Sequence, residues 1–359
     1  MKPIPIILLS TLVAVCTGLA ACTQSTPQPE AQDLGPTGRP LTLGIGWESV
    51  KDDTVNWDEV RERLDSTGAN EITVGVGRSD FIGFPAAGQE DYWAAGVKED
   101  EDLVQDVVDT LTRGTDRDVT LTIDVMAPTI VETNPDYVGA FADGSASKDF
   151  PSATALYRGP VGDRIESMCE AVDERYNPDA IALTELIGDT FFSPADEELF
   201  AEMTDEDEFP RHENGSVNTA DDTVNDWQSQ IITSVIDRCQ SASGNQVVMD
   251  TRVNWQAPGE NRFDSGHRYN DILDTGADLT LWVYTSLSDE EPETTGAVAE
   301  GLQERFDDSE LERITLSLGL WGDLTPDQLE TALEGTQGFQ TSVTPLSLMT
   351  DEHWAVLKL

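Results

Sequence analysis

Short runs of apolar and β-branched residues recur along the chain, and stretches with helical periodicity separate them. Eight such runs predict strands, at 41–47, 71–77, 119–125, 180–186, 246–252, 279–284, 314–321 and 340–348. Seven amphipathic stretches predict helices, at 56–66, 101–113, 162–176, 224–241, 269–273, 295–306 and 325–333, with a last short helix at 351–357. Strands that alternate with helices are typical of a parallel sheet.

Eight repeats of this unit predict a single closed (β/α)8 TIM barrel over residues 40–359. An open doubly wound sheet is the alternative, but the glycine-rich phosphate loop usual in that fold is absent after the first strand. Gly68 suits the residue that ends the first helix, and Thr325-Pro-Asp-Gln is a capping signal for the start of the seventh.

The N-terminus has the features of an export signal. Lys2 precedes an apolar stretch at 6–15, which is too short to span a bilayer as a stable anchor. Leu19-Ala20-Ala21-Cys22 resembles the lipobox of bacterial lipoproteins, which implies cleavage before Cys22 and attachment of a diacylglycerol to its thiol. In such proteins a further acyl chain such as palmitate is often added to the new N-terminus. The alternative is an ordinary cleavable signal peptide with a chance cysteine.

The segment that follows predicts a tether. Residues 23–39 consist mainly of Thr, Gln, Ser, Pro, Gly and acidic residues, which do not form a packed core. The resulting domain organisation is a signal peptide at 1–21, a flexible tether at 22–39 and a barrel at 40–359. We therefore expect an extracytoplasmic protein held at the membrane by lipid, and a monomer.

The charge is strongly negative. The chain has 69 Asp and Glu residues against 21 Lys and Arg, a formal net charge of −48. Such a surface repels nucleic acid and other polyanions, so we expect no nucleic-acid partner. The acids are spread along the whole chain, which favours adaptation to salt or plain solubility over the alternative of dedicated metal or cationic ligand sites.

Cysteine and histidine usage predicts one disulfide and no metal site. Cys16 leaves with the signal and Cys22 is the predicted lipid attachment site, so Cys169 and Cys239 remain as a pair in an oxidising compartment. They lie on the predicted helices that flank the fourth strand, and the alternative is two unpaired buried thiols. The three histidines, His212, His267 and His353, stand alone in the sequence. We expect no organic or redox cofactor.

Three acids are the candidates for catalysis. In a TIM barrel the active site lies at the carboxyl ends of the strands. Asp124, Glu185 and Asp250 interrupt the apolar runs of the third, fourth and fifth strands, where an unpaired carboxylate is costly. These strands are neighbours, so their carboxyl groups can approach each other, as the hydrolysis of a glycosidic bond requires. The alternative is that some are structural acids bonded to Arg78 or Arg252.

Aromatic residues at strand ends point to the same ligand class. Trp47, Trp282, Tyr284 and Trp321 occupy such positions, and sugar rings stack their C–H faces on aromatic rings. Arg78 and Arg252 would bind sugar hydroxyls. The alternative is that these aromatic rings fill the core, above all Trp282.

The segment after the fourth strand, 188–215, is longer than most βα connections, so we expect it to build a substrate wall or lid. A calcium site among Asp189, Asp196 and nearby acids is left open, although no recognised ligand spacing supports it.

Several motifs resemble the glycoside-hydrolase-like TIM barrels of exported bacterial proteins, over about Leu41 to Trp354. They are Thr184-Glu185-Leu186, Leu281-Trp-Val-Tyr284, Gly319-Leu-Trp-Gly322 and the ending Pro345-Leu-Ser-Leu-Met-Thr-Asp-Glu-His-Trp354. The resemblance implies a carbohydrate-acting enzyme in which Glu185, at the end of the fourth strand, is the proton donor.

Two positions depart from that family. The residue before the proton donor is Thr184 instead of the usual Asn, and the seventh strand ends in Trp321-Gly-Asp323 where a nucleophilic Glu is usual. We therefore take Asp250 as nucleophile or base, with Asp124 as its alternative. A non-catalytic glycan- or solute-binding lipoprotein on the same fold is the second hypothesis.

Overall fold

The barrel is closed by eight parallel strands. The computed structural model describes residues 40–358, and the predicted signal peptide, Cys22 and tether lie outside the described residues. The strands are β1 (Leu41–Ile45), β2 (Glu71–Arg78), β3 (Asp118–Asp124), β4 (Ala180–Thr184), β5 (Gln246–Arg252), β6 (Asp278–Val283), β7 (Ile314–Gly319) and β8 (Gln340–Thr344). Each pairs in parallel with the next, and β8 pairs with β1, so the ring is complete. The predicted TIM barrel is confirmed.

Helices surround this ring. They are α1 (Trp57–Thr67), α2 (Leu103–Thr112), α3 (Pro160–Tyr176), α4 (Asp222–Ser243), α5 (Tyr269–Asp274), α6 (Thr294–Arg305), α7 (Pro326–Gly335) and α8 (Asp351–Val356). The end signals act as predicted: Gly68 takes the left-handed conformation after α1, and Thr325 caps α7 in a capping box with Gln328. No helix within residues 40–358 has the length and apolar character to cross a bilayer.

The two faces of the strands differ in chemistry. Outward side chains such as Ile72, Leu121 and Leu183 are fully buried against the helices. The inward face is made mostly of small or hydroxyl-bearing residues, among them Thr42, Thr73, Thr122, Ala182, Thr184, Thr280, Ser317 and Ser342. TIM barrels usually fill this interior with bulky branched side chains. Here the small residues leave a cavity that extends from the mouth into the lumen.

The predicted disulfide is confirmed. Cys169 on α3 and Cys239 on α4 are bonded, with Cα atoms 5.4 Å apart. Arg238 on α4 adds ion pairs to Asp163 and Glu166 of α3, at 2.6 and 2.7 Å. Because α3 precedes β4 and α4 follows it, the disulfide joins the two helices that flank the strand before Glu185.

Several strands end earlier than predicted. β1 stops at Ile45, and Trp47 begins a one-turn helix (Trp47–Val50). β8 stops at Thr344, before a cis Thr344–Pro345 bond and a 3₁₀ turn (Leu346–Leu348). Proline has no N–H for the ladder, so the apolar run 345–348 does not continue the strand.

The connection between β3 and α3 contains structure that the sequence pattern did not predict. It holds a helix (Pro128–Thr133), an antiparallel hairpin (Val138–Ala140 with Ala146–Pro151) and a second helix (Ala153–Tyr157). These elements are short, so they lack the long periodic signals on which the prediction relied.

The segment 188–215 is a packed subdomain. It forms a helix (Pro194–Met203), and its aromatic residues cluster on Trp227 of α4, with ring centroids 5.4 to 6.3 Å from that indole: Phe191, Phe200 and Phe209. None of the described residues in 188–215 lines the barrel cavity, so the predicted substrate wall or lid is wrong. Burial of these aromatics explains the length of the segment.

The acids of this segment are engaged in local bonds. Asp196 is fully buried and accepts hydrogen bonds from the N–H groups of Thr154 and Ser193. Asp189 pairs with Arg252, 2.7 Å away. No three His, Cys, Asp or Glu side chains converge as metal ligands within residues 40–358.

Candidate active site

A cavity of about 780 Å³ opens at the carboxyl ends of the strands and continues into the lumen. Seven of the nine predicted catalytic and substrate-binding residues line it: Trp47, Arg78, Asp124, Glu185, Asp250, Tyr284 and Trp321. The acids lie on β3–β5 and the aromatics on β1 and β6–β7. The cavity therefore has an acidic side and an aromatic side.

The register of the strands sets the positions of the acids. Asp124 is the last residue of β3 and pairs with Thr184, the last residue of β4. Asp250 on β5 lies in the same layer, because Leu183 pairs with Met249 immediately before it. Asp124 and Asp250 therefore have one strand between them, which puts their Cα atoms roughly 10 Å apart at about 4.8 Å per strand step.

Glu185 reaches this group through an unusual backbone conformation. Ala182 and Thr184 face the lumen, so strand alternation would direct residue 185 outward to the helices. Its φ of +58° lies in the left-handed region, and the side chain lines the cavity instead. Non-glycine residues adopt this region at an energetic cost and concentrate at functional sites.

All three acids hold their protons more tightly than a free carboxylic acid does. Burial raises the pKa of Asp124 to about 7, and the negative charge of Glu185 adds to the effect, while the Met126 N–H bond (2.8 Å) and Arg78 oppose it. Burial also raises the pKa of Asp250 to about 7, partly offset by the side chains of Thr184 and Trp282. The pKa of Glu185 is raised by burial and lowered by nearby Arg252. Asp124 and Asp250 can therefore exchange protons near neutral pH.

Buried polar residues hold the backbone behind Glu185. The fully buried His267 accepts a hydrogen bond at Nδ1 from the Arg252 N–H (3.1 Å), so its Nε2 carries the proton and donates to the Leu186 carbonyl (3.0 Å). The Tyr269 hydroxyl donates to the Arg252 carbonyl at 2.7 Å. Burial lowers the pKa of His267 to about 4, which keeps this bridge in its neutral form.

The aromatic side is a stack of three rings. Trp282 and Tyr284 are nearly parallel, 5.6 Å apart, and Trp321 lies 5.0 Å from Tyr284 at 50°. A Cβ on Gly319 would lie 2.4 Å from the Tyr284 ring, so this glycine provides the space for the stack. Trp321 is 37% exposed and forms the outermost surface.

The rim at β1 and β2 adds a second aromatic group. Trp47 lies 6.2 Å from Phe81, and the Arg78 guanidinium lies 5.2 Å above the Phe81 ring. Arg78 also pairs with Asp80 at 2.7 Å. The Trp47 indole occupies the space that a side chain on Gly83 would need.

Two predicted substrate contacts are placed elsewhere. Arg252 does not line the cavity: it pairs with Asp189 beside Glu185 and acts on that carboxyl through its charge. Trp282 is not among the residues that line the cavity; it is partly buried, stacks on Tyr284 and lowers the pKa of Asp250 through its side chain. The roles predicted for Arg252 and Trp282 in substrate binding stay predictions.

Sequence reasoning missed several residues of the lining. Phe81, Lys51 and Glu48 belong to the rim, and Thr184 lies between Asp124 and Asp250. Lys51 and Glu48 follow from the one-turn helix after β1, which the pattern read as the end of a strand. Phe81 lies in a two-residue strand (Phe81–Ile82) that turns back on β2, and such a short strand has no periodic signal.

No family model and no curated protein matches this chain. Solved structures do match, at low identity. They include the glycoside hydrolase domain of PgaB (BpsB) from Bordetella bronchiseptica (TM-score 0.62, 11% identity, 89% of this chain and 99% of that one). The α-L-fucosidase isoenzyme 2 of Paenibacillus thiaminolyticus (0.58, 15%, 89% and 48%) and the catalytic domain of β-amylase from Paenibacillus polymyxa (0.56, 10%, 88% and 94%) also match. The chain has a glycoside-hydrolase-like TIM-barrel fold.

Proposed function

We propose that this protein is a glycoside hydrolase, exported and anchored to the membrane by lipid on Cys22. The observation that carries the proposal is the left-handed turn at Glu185, which directs its carboxyl into the cavity that Asp124 and Asp250 also line. Non-glycine residues in this conformation concentrate at functional sites. The neighbours' fold supports the same reading.

Glu185 donates a proton to the glycosidic oxygen as the bond to the leaving sugar breaks. Burial raises the pKa of this group above its ordinary value, which favours the protonated form that a general acid needs. Asp250 serves as the nucleophile or the base that completes the reaction, with Asp124 as the alternative. The charges of Asp124 and Asp250 both interact with Glu185, which favours a state with fewer than three negative charges.

The remaining residues of the cavity bind the sugar. Tyr284 and Trp321 offer ring faces for its C–H groups, and Trp47 does the same at the end of β1. Arg78, held by Asp80, bonds hydroxyl groups. Arg252 and Asp189 lie behind Glu185. The charge of Arg252 lowers the pKa of Glu185, and the charge of Asp189 raises it.

Hydrolysis is tested with a panel of chromogenic glycosides and neutral polysaccharides, on wild type and Glu185→Gln. We expect at least one substrate to be cleaved by wild type, and the Gln variant to lose roughly a thousandfold or more in kcat while it still binds that substrate. Glu304→Gln, on the exposed face of α6, is the matched control and should keep full activity. Binding without cleavage by wild type would instead assign a non-catalytic glycan-binding protein.

Anchoring is tested separately by expression of the full chain in a bacterium. The wild-type protein should partition with membranes and carry the acyl mass on Cys22, and Cys22→Ala should abolish that mass. Recovery of unacylated wild-type protein, cleaved at another position, would contradict the lipoprotein proposal.

A further inference from the structure

A second cavity of about 490 Å³ lies beside the active-site cavity, between the loop after β7 and the segment after β8. Trp321 lines both cavities, so they adjoin at one indole ring. We call this second cavity the outer groove. The residues that matter for its chemistry are Trp321, Asp323, Leu324, Leu348, Glu352 and His353.

The outer groove is held in shape from both sides. The buried His353 accepts at Nδ1 from the Thr350 N–H (3.2 Å), so its Nε2 carries the proton and donates to the Leu324 carbonyl (2.9 Å). This bond ties the loop after β7 to α8. On the other side, Gly322 (φ +77°) packs so closely on the Ser286 backbone that a Cβ there would lie 2.7 Å from it. The groove is therefore formed before any ligand binds.

Its surface combines apolar faces with carboxylates. Trp321 is 37% exposed and Leu348 is 41% exposed, so both present apolar faces to the groove. Asp323 and Glu352 provide hydrogen-bond acceptors, and no Lys or Arg lines the groove within the described residues. Apolar faces next to acceptors suit sugar rings, while the two carboxylates repel uronate or sulfate groups.

We propose that the outer groove binds further units of an uncharged glycan chain whose scissile bond lies at Glu185. This inference rests on the proposed function, because it assigns a substrate class to the same site. β7 and β8 lie across the barrel mouth from β3 and β4. A chain that starts at the acids passes Tyr284 and Trp321 and enters the groove, so the substrate is an oligosaccharide or polysaccharide and not a single sugar.

The test is a calorimetric titration of Glu185→Gln with neutral oligosaccharide ladders, from di- to hexasaccharides of the cello, xylo, manno and malto series. We expect affinity to rise with chain length in at least one series, by roughly tenfold or more over the ladder. In the double variant with Leu348→Arg, which fills the groove, that gain should disappear. Phe141→Arg, at a phenylalanine that is 40% exposed and lines neither cavity, is the matched control and should keep it.

The possible results separate the two proposals. The groove proposal fails if affinity does not rise with chain length. It also fails if the rise persists in a Leu348→Arg variant whose melting temperature is unchanged. Neither result contradicts the hydrolysis proposal. Length-dependent binding that Leu348→Arg removes, together with a wild type that cleaves none of the ladders, would support the groove and overturn hydrolysis. Absence of binding to every ladder would overturn the groove as a site for uncharged chains, and hydrolysis is then judged on the glycoside panel alone.

Discussion

The two sides of the barrel mouth are built in different ways. On the β3–β5 side, Asp124, Glu185 and Asp250 face the cavity, backed by a buried polar layer that includes His267 and Arg252. On the β6–β7 side, the contact surface consists of rings that stack on each other, with Gly319 making room for them. Under the proposed function, bond cleavage depends on the β3–β5 side and sugar binding on the β6–β7 side.

The largest expected effect concerns the acid that works with Glu185. Asp250→Asn should lower kcat by roughly a thousandfold with little change in KM, because the lost interaction is made only in the transition state. Asp124→Asn should lower kcat by a smaller factor, because the Met126 N–H bond and Arg78 already stabilise the Asp124 carboxylate. Steady-state kinetics on a substrate found with the panel measures both. A larger loss for Asp124→Asn would reverse the two roles.

The acidic side should also lower stability at high pH. The pKa of Asp250 is about 7 in the folded protein against 3.8 for a free side chain, so the native state holds this proton more tightly than the unfolded chain. Stability is therefore highest below the unfolded pKa and falls as the pH rises from about 4 to about 7.

Asp250→Asn removes this titration. We expect the variant to exceed wild type in unfolding free energy by roughly 4 kcal/mol near pH 8, with the difference shrinking towards about pH 4. Urea unfolding across pH measures it, with Glu304→Gln as control. A pH-independent difference would mean that Asp250 stays ionised in the folded protein.

The aromatic side should affect binding more than turnover. Trp321→Ala should raise KM roughly tenfold and change kcat little, because ring stacking contributes about equally to ground state and transition state. Phe263→Ala, which removes an exposed ring outside the cavity, should leave both constants unchanged. If Trp321→Ala lowered kcat as much as Glu185→Gln does, the proposed difference between the two sides would be contradicted.

The smallest effect is expected at Thr184, which lies between the acids. The Thr184 side chain lowers the pKa of Asp250, so Thr184→Val should raise it and move the pH of half-maximal activity upward by less than about one pH unit. Thr122→Val, in the lumen below Asp124, is the control. A pH profile that does not move would show that another group sets it.

The parts that could be predicted from sequence have repeating local signals. The strands and the helices around them follow from periodicity, and the Cys169–Cys239 bond follows from the placement of two helices. Strand order then brought Asp124, Glu185 and Asp250 to the same end of the barrel. The left-handed φ of Glu185 was not predictable, because no local residue pattern requires it.

Tertiary packing decided the rest. Arg252 occupies a predicted strand end, yet its guanidinium pairs with Asp189 from a segment distant in sequence. The segment 188–215 has the length of a lid, but its aromatics are buried on Trp227 of α4. Both outcomes depend on long-range contacts that a period in the sequence does not encode.

The covalent link between α3 and α4 bears on how the protein is produced. Cys169 and Cys239 are 70 residues apart and enclose β4 with Glu185. Closing a loop of that size removes chain entropy from the unfolded state worth about 4 kcal/mol. Recombinant material made in a reducing cytoplasm would lack this contribution, so a periplasmic or oxidising host is the appropriate source for preparations that must stay folded.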